Sequence, residues 1–159
     1  MFMDTLFLLR HAKSSWKVSG TNDQHRELSE RGEKDVMLLN QYLKEKGIFF
    51  DKILCSIATR TMQTMLNLVS LDTKKIDIEL DLYHADEDTI LDYISKSVDC
   101  SNLLLIAHNP GISGVISKLS GQEYLDFPTC TLAKFKNRSE IMELDFIIRP
   151  KNGKIEKLG

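Results

Sequence analysis

Two arginines and two histidines of the sequence stand where strands are expected to end. Arg10 and His11 follow one apolar run, His108 follows another, and Arg60 comes shortly after a third. Arginine presents a planar fork of donors that fits phosphate oxygens, and it keeps its charge at any working pH. Two arginines beside two imidazoles repel one another unless a multiply charged anion lies among them. This set of residues therefore predicts a site for a phosphoryl group.

The same residues can also carry out chemistry on a bound phosphoryl group. One imidazole can attack phosphorus as a covalent nucleophile, while the other donates to an equatorial oxygen and stabilises the developing charge. Because the arginines neutralise the phosphate, no metal ion and no cofactor is expected. The four histidines of the chain show no i, i+4 pair and no cysteine or carboxylate at ligand spacing, so no metal site is predicted.

Alternating strands and helices are expected to position these residues. A strand is expected at 5–9, where 6–9 are apolar without interruption, which suits a central strand covered by helices on both faces. Further strands are expected at 52–55, 76–80 and 103–107, with helices at 30–46, 62–69, 90–94 and 112–119. This order predicts an α/β fold, a three-layer α/β/α sandwich with a mostly parallel central sheet. The runs 132–136 and 141–148 are expected to be edge or near-edge strands.

Length and composition limit the function classes that remain. The chain has 159 residues, of which 42% are hydrophobic and 28% charged, and this fits one domain over 1–159. Lys and Arg total 21 against 23 Asp and Glu, a net charge of −2, so no nucleic-acid partner is expected. The first apolar run is too short for a signal sequence or a membrane span. The three cysteines have no C-x-x-C spacing, and a cytoplasmic protein without a membrane partner is predicted.

Three motifs of the chain resemble those of the histidine phosphatase superfamily, which has the phosphoglycerate mutase-like fold. Residues 10–12 are similar to the R-H-G/A signature, 56–64 to the S-x-x-x-R-x-x-Q-T segment, and 108–111 to the segment with the second histidine. The sequence R-H-A-K-S-S-W at 10–16 and the segment 26–28 look most like the SixA-type phosphohistidine phosphatase branch. The resemblance implies a single histidine phosphatase domain.

The resemblance also implies roles for individual residues. His11 would be the nucleophile that becomes phosphorylated, and Arg10, Arg60 and His108 would form the rest of the catalytic phosphate pocket. No cofactor would be needed.

Three more residues are expected to bind substrate. Ser14 would add a donor in the loop after His11, and Arg26 falls in a segment that resembles the R-P-L segment of the branch. Lys17 stands where larger relatives commonly place an asparagine. The roles of Lys13 and His84 stay open.

The general acid of the superfamily has no clear counterpart in this sequence. Glu79 and Asp81 are the candidates, and His108 is followed by Asn109 where the acid phosphatases have an aspartate. A phosphohistidine tolerates this absence, because an imidazole protonated on its other nitrogen leaves as a neutral base. The missing acid therefore favours P–N over P–O substrates.

Three functions remain open at this point. The first is a cofactor-independent phosphatase that acts in signal transduction on phosphohistidine in a protein, for example a histidine phosphotransfer domain. The second is a small-molecule phosphomonoesterase of the same superfamily, and the third is a non-catalytic phosphate-binding module. The intact pair His11 and His108 disfavours the third, and the short chain disfavours a mutase with a substrate lid.

Overall fold

One mixed sheet organises the computed structural model, which describes residues 3–18, 20–124 and 127–158. Its strands in this part of the chain are β1 (Thr5–Arg10), β2 (Lys52–Ser56), β3 (Lys75–Glu79), β4 (Asn102–Ala107), β5 (Leu132–Arg138), β6 (Ile141–Lys151) and β7 (Lys154–Leu158). Its α-helices are α1 (Glu30–Glu45), α2 (Thr59–Leu66), α3 (Glu87–Ser95) and α4 (Gly111–Ser120). Short 3₁₀ helices lie at Asp23–His25 and Leu80–Leu82. The predicted α/β fold is confirmed.

Helices cover both faces of the sheet, as the uninterrupted apolar runs predict. Side chains alternate between the two faces along a strand, so Leu6 and Leu8 of β1 pack in one core with α3 and α4. Phe7 and Leu9 of the same strand pack in the second core with α1 and α2. No helix in the described part of the chain is long and apolar enough to cross a membrane.

The first half of the sheet is parallel and the second half is antiparallel. The strand order is β3-β2-β4-β1-β5-β6-β7, and β3, β2, β4 and β1 run parallel to their neighbours. The strands from β5 to β7 pair antiparallel. The prediction of a mostly parallel sheet is therefore wrong for the C-terminal part of the chain.

Two tight turns account for this antiparallel part. Ser139 and Glu140 join β5 to β6, and Asn152 and Gly153 join β6 to β7, all four with positive φ. Two-residue turns with both central residues in this region connect antiparallel hairpins, and Asn-Gly is their strongest sequence signal. That signal was available at Asn152-Gly153, yet β7 was not predicted.

The start of α1 holds the loop that follows β1. Ser29 caps the helix, as its position predicts, by accepting a hydrogen bond from the Gly32 amide at 3.1 Å. The Ser29 amide in turn donates to the carbonyl oxygen of Lys13 at 2.8 Å. A Cβ at Gly32 would lie 2.1 Å from that same carbonyl oxygen. The missing side chain of Gly32 is what lets the helix approach the loop this closely.

We expect Gly32→Ala to lower the free energy of unfolding by about 1–3 kcal/mol, because the new methyl group must push backbone atoms apart. The loop it displaces also carries the predicted site, so any activity of that site should fall as well. Urea denaturation measures the first effect.

Gly114→Ala is the matched control. Its Cβ would meet the carboxylate end of Glu87 at 2.7 Å, and a flexible side chain can move aside. Stability should stay within about 1 kcal/mol of the parent chain. Equal losses in the two variants would contradict the close-packing explanation of Gly32.

Candidate active site

Strand register brings the two predicted histidines together. Arg10 at the end of β1 is paired with Ala107 at the end of β4, and His11 and His108 follow them directly in the chain. Neighbouring strands lie about 4.8 Å apart, and the two imidazole centroids lie 5.1 Å apart. The pair therefore sits at the carboxyl edge of the parallel strands, where ligands bind in such sheets.

His11 is held with one ring nitrogen directed into the site. Its Nδ1 lies 2.7 Å from the carbonyl oxygen of Ala12, to which it donates, and its Nε2 accepts from Arg60 Nε at 3.3 Å. Only 6% of the residue is exposed. Burial, together with Arg60, Arg10 and Arg26, lowers the pKa of His11 to about 3. The imidazole is therefore neutral at physiological pH, with its lone pair on Nε2.

His108 is neutral as well, and its hydrogen bonds determine its tautomer. Arg60 Nη2 lies 3.4 Å from His108 Nδ1, and arginine can only donate. The ring proton of neutral His108 is consequently on Nε2, which donates to Ser56 Oγ at 2.8 Å. Burial first, then His11 and Arg60, lower the pKa of His108 to about 3. Burial and the nearby positive charge of Arg60 thus keep both rings unprotonated.

Arg60 is the central side chain of the site. Besides the two imidazoles, it contacts Asp23, donating from Nη1 to the carbonyl oxygen at 2.7 Å and from Nη2 to the carboxylate at 3.2 Å. Its side chain is 6% exposed. Arg60 lies in the first turn of α2, directly after β2, which is why it reaches the same edge of the sheet as the histidines.

The neighbouring residues of its motif tie the site loops to α2. Thr64 Oγ1 accepts from the amide of Ala12 at 3.1 Å, next to His11. Gln63 Oε1 accepts from the amide of Leu28 at 2.8 Å. The Gln-Thr pair therefore holds the backbone of both loops that border the site.

Arg10 reaches the site from the end of β1. Its Nη1 donates to the carbonyl oxygen of Phe127 at 2.8 Å, and Asn109 Nδ2 donates to the same oxygen at 2.9 Å. Its charge contributes to the lowered pKa of His11. The four predicted pocket residues are therefore brought together by the fold.

Ser14 and Arg26 form a second part of the site. Ser14 is buried and accepts a hydrogen bond from Arg26 Nη2. Arg26 also donates to Asp23 Oδ1 at 3.0 Å, and its guanidinium lies 3.3 Å from the ring centroid of Trp16. Trp16 itself is 71% exposed, so it forms part of the rim of the site.

Asp23 is the residue of the site that sequence reasoning missed. Its carboxylate pairs with Arg26 and Arg60 and accepts from the hydroxyl of Tyr83 at 2.6 Å. The Tyr83 hydrogen bond, with Arg26 and Arg60, holds the pKa of this carboxyl well below its usual range. A signal was available, since an aspartate three residues before Arg26 on a helical turn can pair with it.

The two candidate general acids point elsewhere. Glu79 and Asp81 both accept from the hydroxyl of Tyr93, at 3.2 and 3.3 Å, and in the described part of the chain neither contacts His11 or His108. Burial first, then the charges of Glu79 and Asp81, raise the pKa of Tyr93 to about 12.

Lys17 and His84 occupy different margins of the site. Lys17 is exposed, and its charge adds a small part, after that of Lys34, to the lowered pKa of Glu30 on α1. His84 lies at the rim, with its ring centroid 4.0 Å from that of Tyr83 and its Nε2 3.7 Å from Asp23 Oδ2. Lys13 is exposed and is held through its backbone carbonyl.

Among residues 3–18, 20–124 and 127–158, no three His, Cys, Asp or Glu side chains are arranged to hold a metal ion. The guanidinium groups of Arg10, Arg26 and Arg60 instead lie close enough to lower the pKa of His11, and such groups fit the oxygens of a tetrahedral anion.

Sequence comparison agrees with this geometry. The family model of the histidine phosphatase superfamily (branch 1) matches residues 6–83, a span that contains His11 and Arg60. The chain belongs to the histidine phosphatase superfamily. The resemblance to this superfamily is confirmed, with the first two motifs inside the matched span, and superfamily membership indicates a phosphatase.

Solved structures of histidine phosphatases have the same fold. The protein assigned as phosphohistidine phosphatase SixA in Agrobacterium tumefaciens superposes with a TM-score of 0.86 at 27% identity, over 94% of this chain and 100% of that one. The protein histidine phosphatase SixA in complex with tungstate gives a TM-score of 0.79 at 21% identity, over 94% and 99%. An uncharacterised protein of Mycobacterium leprae is 32% identical over 71% of each chain.

The two buried histidines of this histidine phosphatase predict a stability that falls on acidification. In the folded chain both have pKa values of about 3, against 6.5 when unfolded, so below pH 6.5 the unfolded chain binds more protons. Each contributes a slope of up to about 1.4 kcal/mol per pH unit. We expect the free energy of unfolding to drop by about 2 kcal/mol from pH 6 to pH 5.

Urea denaturation of His11→Asn at these two pH values measures the contribution of one ring. The variant should lose about half of the pH dependence. His25→Asn, which replaces an exposed histidine, is the control and should keep the full dependence. An unchanged dependence in His11→Asn would show that His11 is protonated in the folded chain.

Proposed function

We propose that this chain is a cofactor-independent phosphatase that hydrolyses phosphohistidine on a protein, through a covalent intermediate on His11. The observation that carries the proposal is the combination of a neutral His11, whose Nε2 faces Arg60 at 3.3 Å, with a site carboxylate that cannot act as a proton donor. The domain 1–159 would contain the whole catalytic machinery.

In this proposal His11 Nε2 attacks phosphorus in line with the leaving group. The lone pair needed for attack is available without a general base, because burial and the arginines keep the ring neutral. The hydrogen bond from Nδ1 to the Ala12 carbonyl orients the ring and keeps the proton on the far nitrogen. In the second step water attacks phosphorus, the P–Nε2 bond breaks, and neutral His11 is regenerated.

Arg60, Arg10 and His108 would hold the phosphoryl oxygens during both steps. The guanidinium groups supply charge that matches a phosphoryl dianion. The dianion would also raise the pKa of His108, which could then donate from both ring nitrogens. The first turn of α2 adds backbone N–H groups on the same side.

The absence of an available acid distinguishes P–N from P–O substrates. An alkoxide leaving group needs a proton, and Asp23 is ionised because Tyr83, Arg26 and Arg60 stabilise its charged form. Glu79 and Asp81 are engaged by Tyr93. An imidazole with a proton on its other nitrogen leaves as a neutral base and needs no such donor.

The surroundings of the site favour a substrate residue that is carried on a protein. Trp16 and His84 are 71% and 66% exposed at the rim. An open depression continues from Tyr83 and His84 along α3, lined by Asp86, Thr89 and Tyr93 among others. An open rim of this kind admits a side chain on a protein surface more readily than it encloses a metabolite.

The test is kcat/KM on a phosphohistidine peptide against a phosphoserine peptide of the same sequence. We expect a strong preference for phosphohistidine, with His11→Ala showing no turnover of either peptide. Acid-labile, base-stable phosphate on His11 after rapid quenching would identify the intermediate.

Two results would replace this function. Equal or better turnover of phosphoserine would favour the small-molecule phosphomonoesterase, with His84 as the proton donor to test next. Phosphate binding without turnover of any substrate would favour the non-catalytic module. Turnover retained in His11→Ala would remove His11 as nucleophile.

A second prediction concerns Arg60. Arg60→Ala should lower kcat/KM by about 30- to 1,000-fold, equivalent to about 2–4 kcal/mol of lost charge stabilisation. Arg149→Ala is the matched control, since Arg149 pairs with Glu156 between β6 and β7, and its kcat/KM should be unchanged. A similar kcat/KM for the two variants would exclude Arg60 from the phosphate pocket.

A further inference from the structure

Asp23 is a carboxylate beside a pocket that is otherwise lined by cationic and neutral donors. It contacts Arg26 and Arg60 from one side and Tyr83 from the other, with His84 Nε2 at 3.7 Å. An anion at this position repels phosphate, so compensating and orienting the arginines is the only benefit it brings to phosphate binding. The position of Asp23 therefore calls for a role other than binding the phosphoryl group.

The carboxylate retains room for one more partner. Oδ2 accepts from Arg60 and Tyr83, while Oδ1 accepts only from Arg26 in the described part of the chain. A carboxylate has about four acceptor positions, so one on Oδ1 remains. Asp23 is 36% exposed, whereas His11 and His108 are buried. The carboxylate is therefore accessible from solvent, as a contact with a substrate requires.

The chain itself shows that an imidazole fits next to this carboxylate. His84 places its ring against Tyr83, with centroids 4.0 Å apart, and its Nε2 is just beyond hydrogen-bond distance of Asp23. His84 is at the rim and its φ of 57° holds it in the left-handed region. A second imidazole, delivered by a substrate, would meet the same carboxylate from the open side.

A carboxylate next to the substrate ring would offset the positive charge of the surrounding arginines. Arg10, Arg26 and Arg60 all disfavour a cationic ring near the site, as their effect on His11 indicates. A phosphorylated imidazole leaves readily only when its other nitrogen carries a proton, and in that form the ring is cationic. An ionised carboxylate at the rim offsets the repulsion where the ring lies.

We propose that Asp23 is a specificity-determining residue, which accepts a hydrogen bond from the free ring nitrogen of phosphohistidine and so keeps the leaving imidazole protonated. This inference rests on the proposed function and deepens it. Tyr83, Arg26 and Arg60 fix the carboxylate in place, and His84 is the remaining titratable group that faces it.

The step balances without a further reactant. As the P–Nε2 bond to His11 forms, the bond from phosphorus to the substrate ring breaks, and its electron pair returns to that ring nitrogen. The other nitrogen of the substrate ring keeps its proton, which it donates in a hydrogen bond to the Asp23 carboxylate. The ring therefore leaves as a neutral imidazole. An ester oxygen receives no proton from an ionised Asp23, which is why the same residue gives no help to phosphoserine.

The first experiment uses the unmodified protein. On a phosphohistidine peptide, kcat should decline at alkaline pH with an apparent pKa about one unit or more above that of the phosphohistidine ring in the free peptide. NMR measures the pKa of the free peptide. A limb at the ring pKa of the free peptide would overturn the role of Asp23, while a preference for phosphoserine would instead overturn the proposed function.

The second experiment compares variants on the phosphohistidine peptide and on p-nitrophenyl phosphate, whose leaving group needs no proton. Asp23→Asn should lower kcat/KM for phosphohistidine at least tenfold more than for the aryl phosphate, and should move the alkaline limb of kcat to lower pH. Asp23→Glu keeps the charge and should restore part of the preference.

Asp145→Asn is the matched control, because Asp145 also pairs with two cations, Lys134 and Lys136, at 3.2 and 3.0 Å on β5. It should leave both substrates unaffected. An equal loss on both substrates in Asp23→Asn, with an unchanged pH profile, would mean that Asp23 only positions Arg60 and would overturn the proposal.

Discussion

The buried guanidinium of Arg60 is the interaction on which the rest of the site depends. A charge removed from water is tolerated only when hydrogen bonds and counter-charge replace its hydration. Here the partners are two imidazole nitrogens and both a carbonyl and a carboxylate oxygen of Asp23. Both imidazoles accept from it, and burial together with this fixed cation keeps both rings neutral. The protonation state of the two histidines thus follows from their burial beside Arg60.

The parallel half of the sheet converts sequence order into this geometry. β2, β4 and β1 are adjacent, so the segments that leave their carboxyl ends emerge side by side. Strand spacing alone brings His11 and His108 to a centroid distance of 5.1 Å. Since Leu6–Leu9 and 103–106 are fully buried between two helix layers, the register cannot slip without moving apolar side chains from one core to the other.

A second set of contacts holds the loops that complete the site. The segment after His11 pairs with the segment before α1 through the Ser14–Leu28 bridge and through the close approach at Gly32. Gln63 anchors Leu28 from α2. These backbone contacts hold the loop that carries Asp23, while β2 and the start of α2 place Arg60 beside it. The site is therefore built from strand ends on one side and, on the other, from the loop that carries Asp23.

Much of this protein is determined locally by its sequence. The apolar runs, the Ser29 cap and the three motifs predicted the alternating elements and the cluster of Arg10, His11, Arg60 and His108, because strand ends and helix starts are short-range features. The hairpin at Asn152-Gly153 was equally local, although β7 was not predicted from it.

Only the tertiary structure decided the rest of the site. Asp23 meets Arg60 across 37 residues and Tyr83 across 60, and no spacing rule reaches that far. Glu79 and Asp81 were candidate acids by type, but packing of α3 directs both toward Tyr93. A residue's type is encoded in the sequence, whereas its partner and its charge state depend on which distant side chains the fold buries beside it.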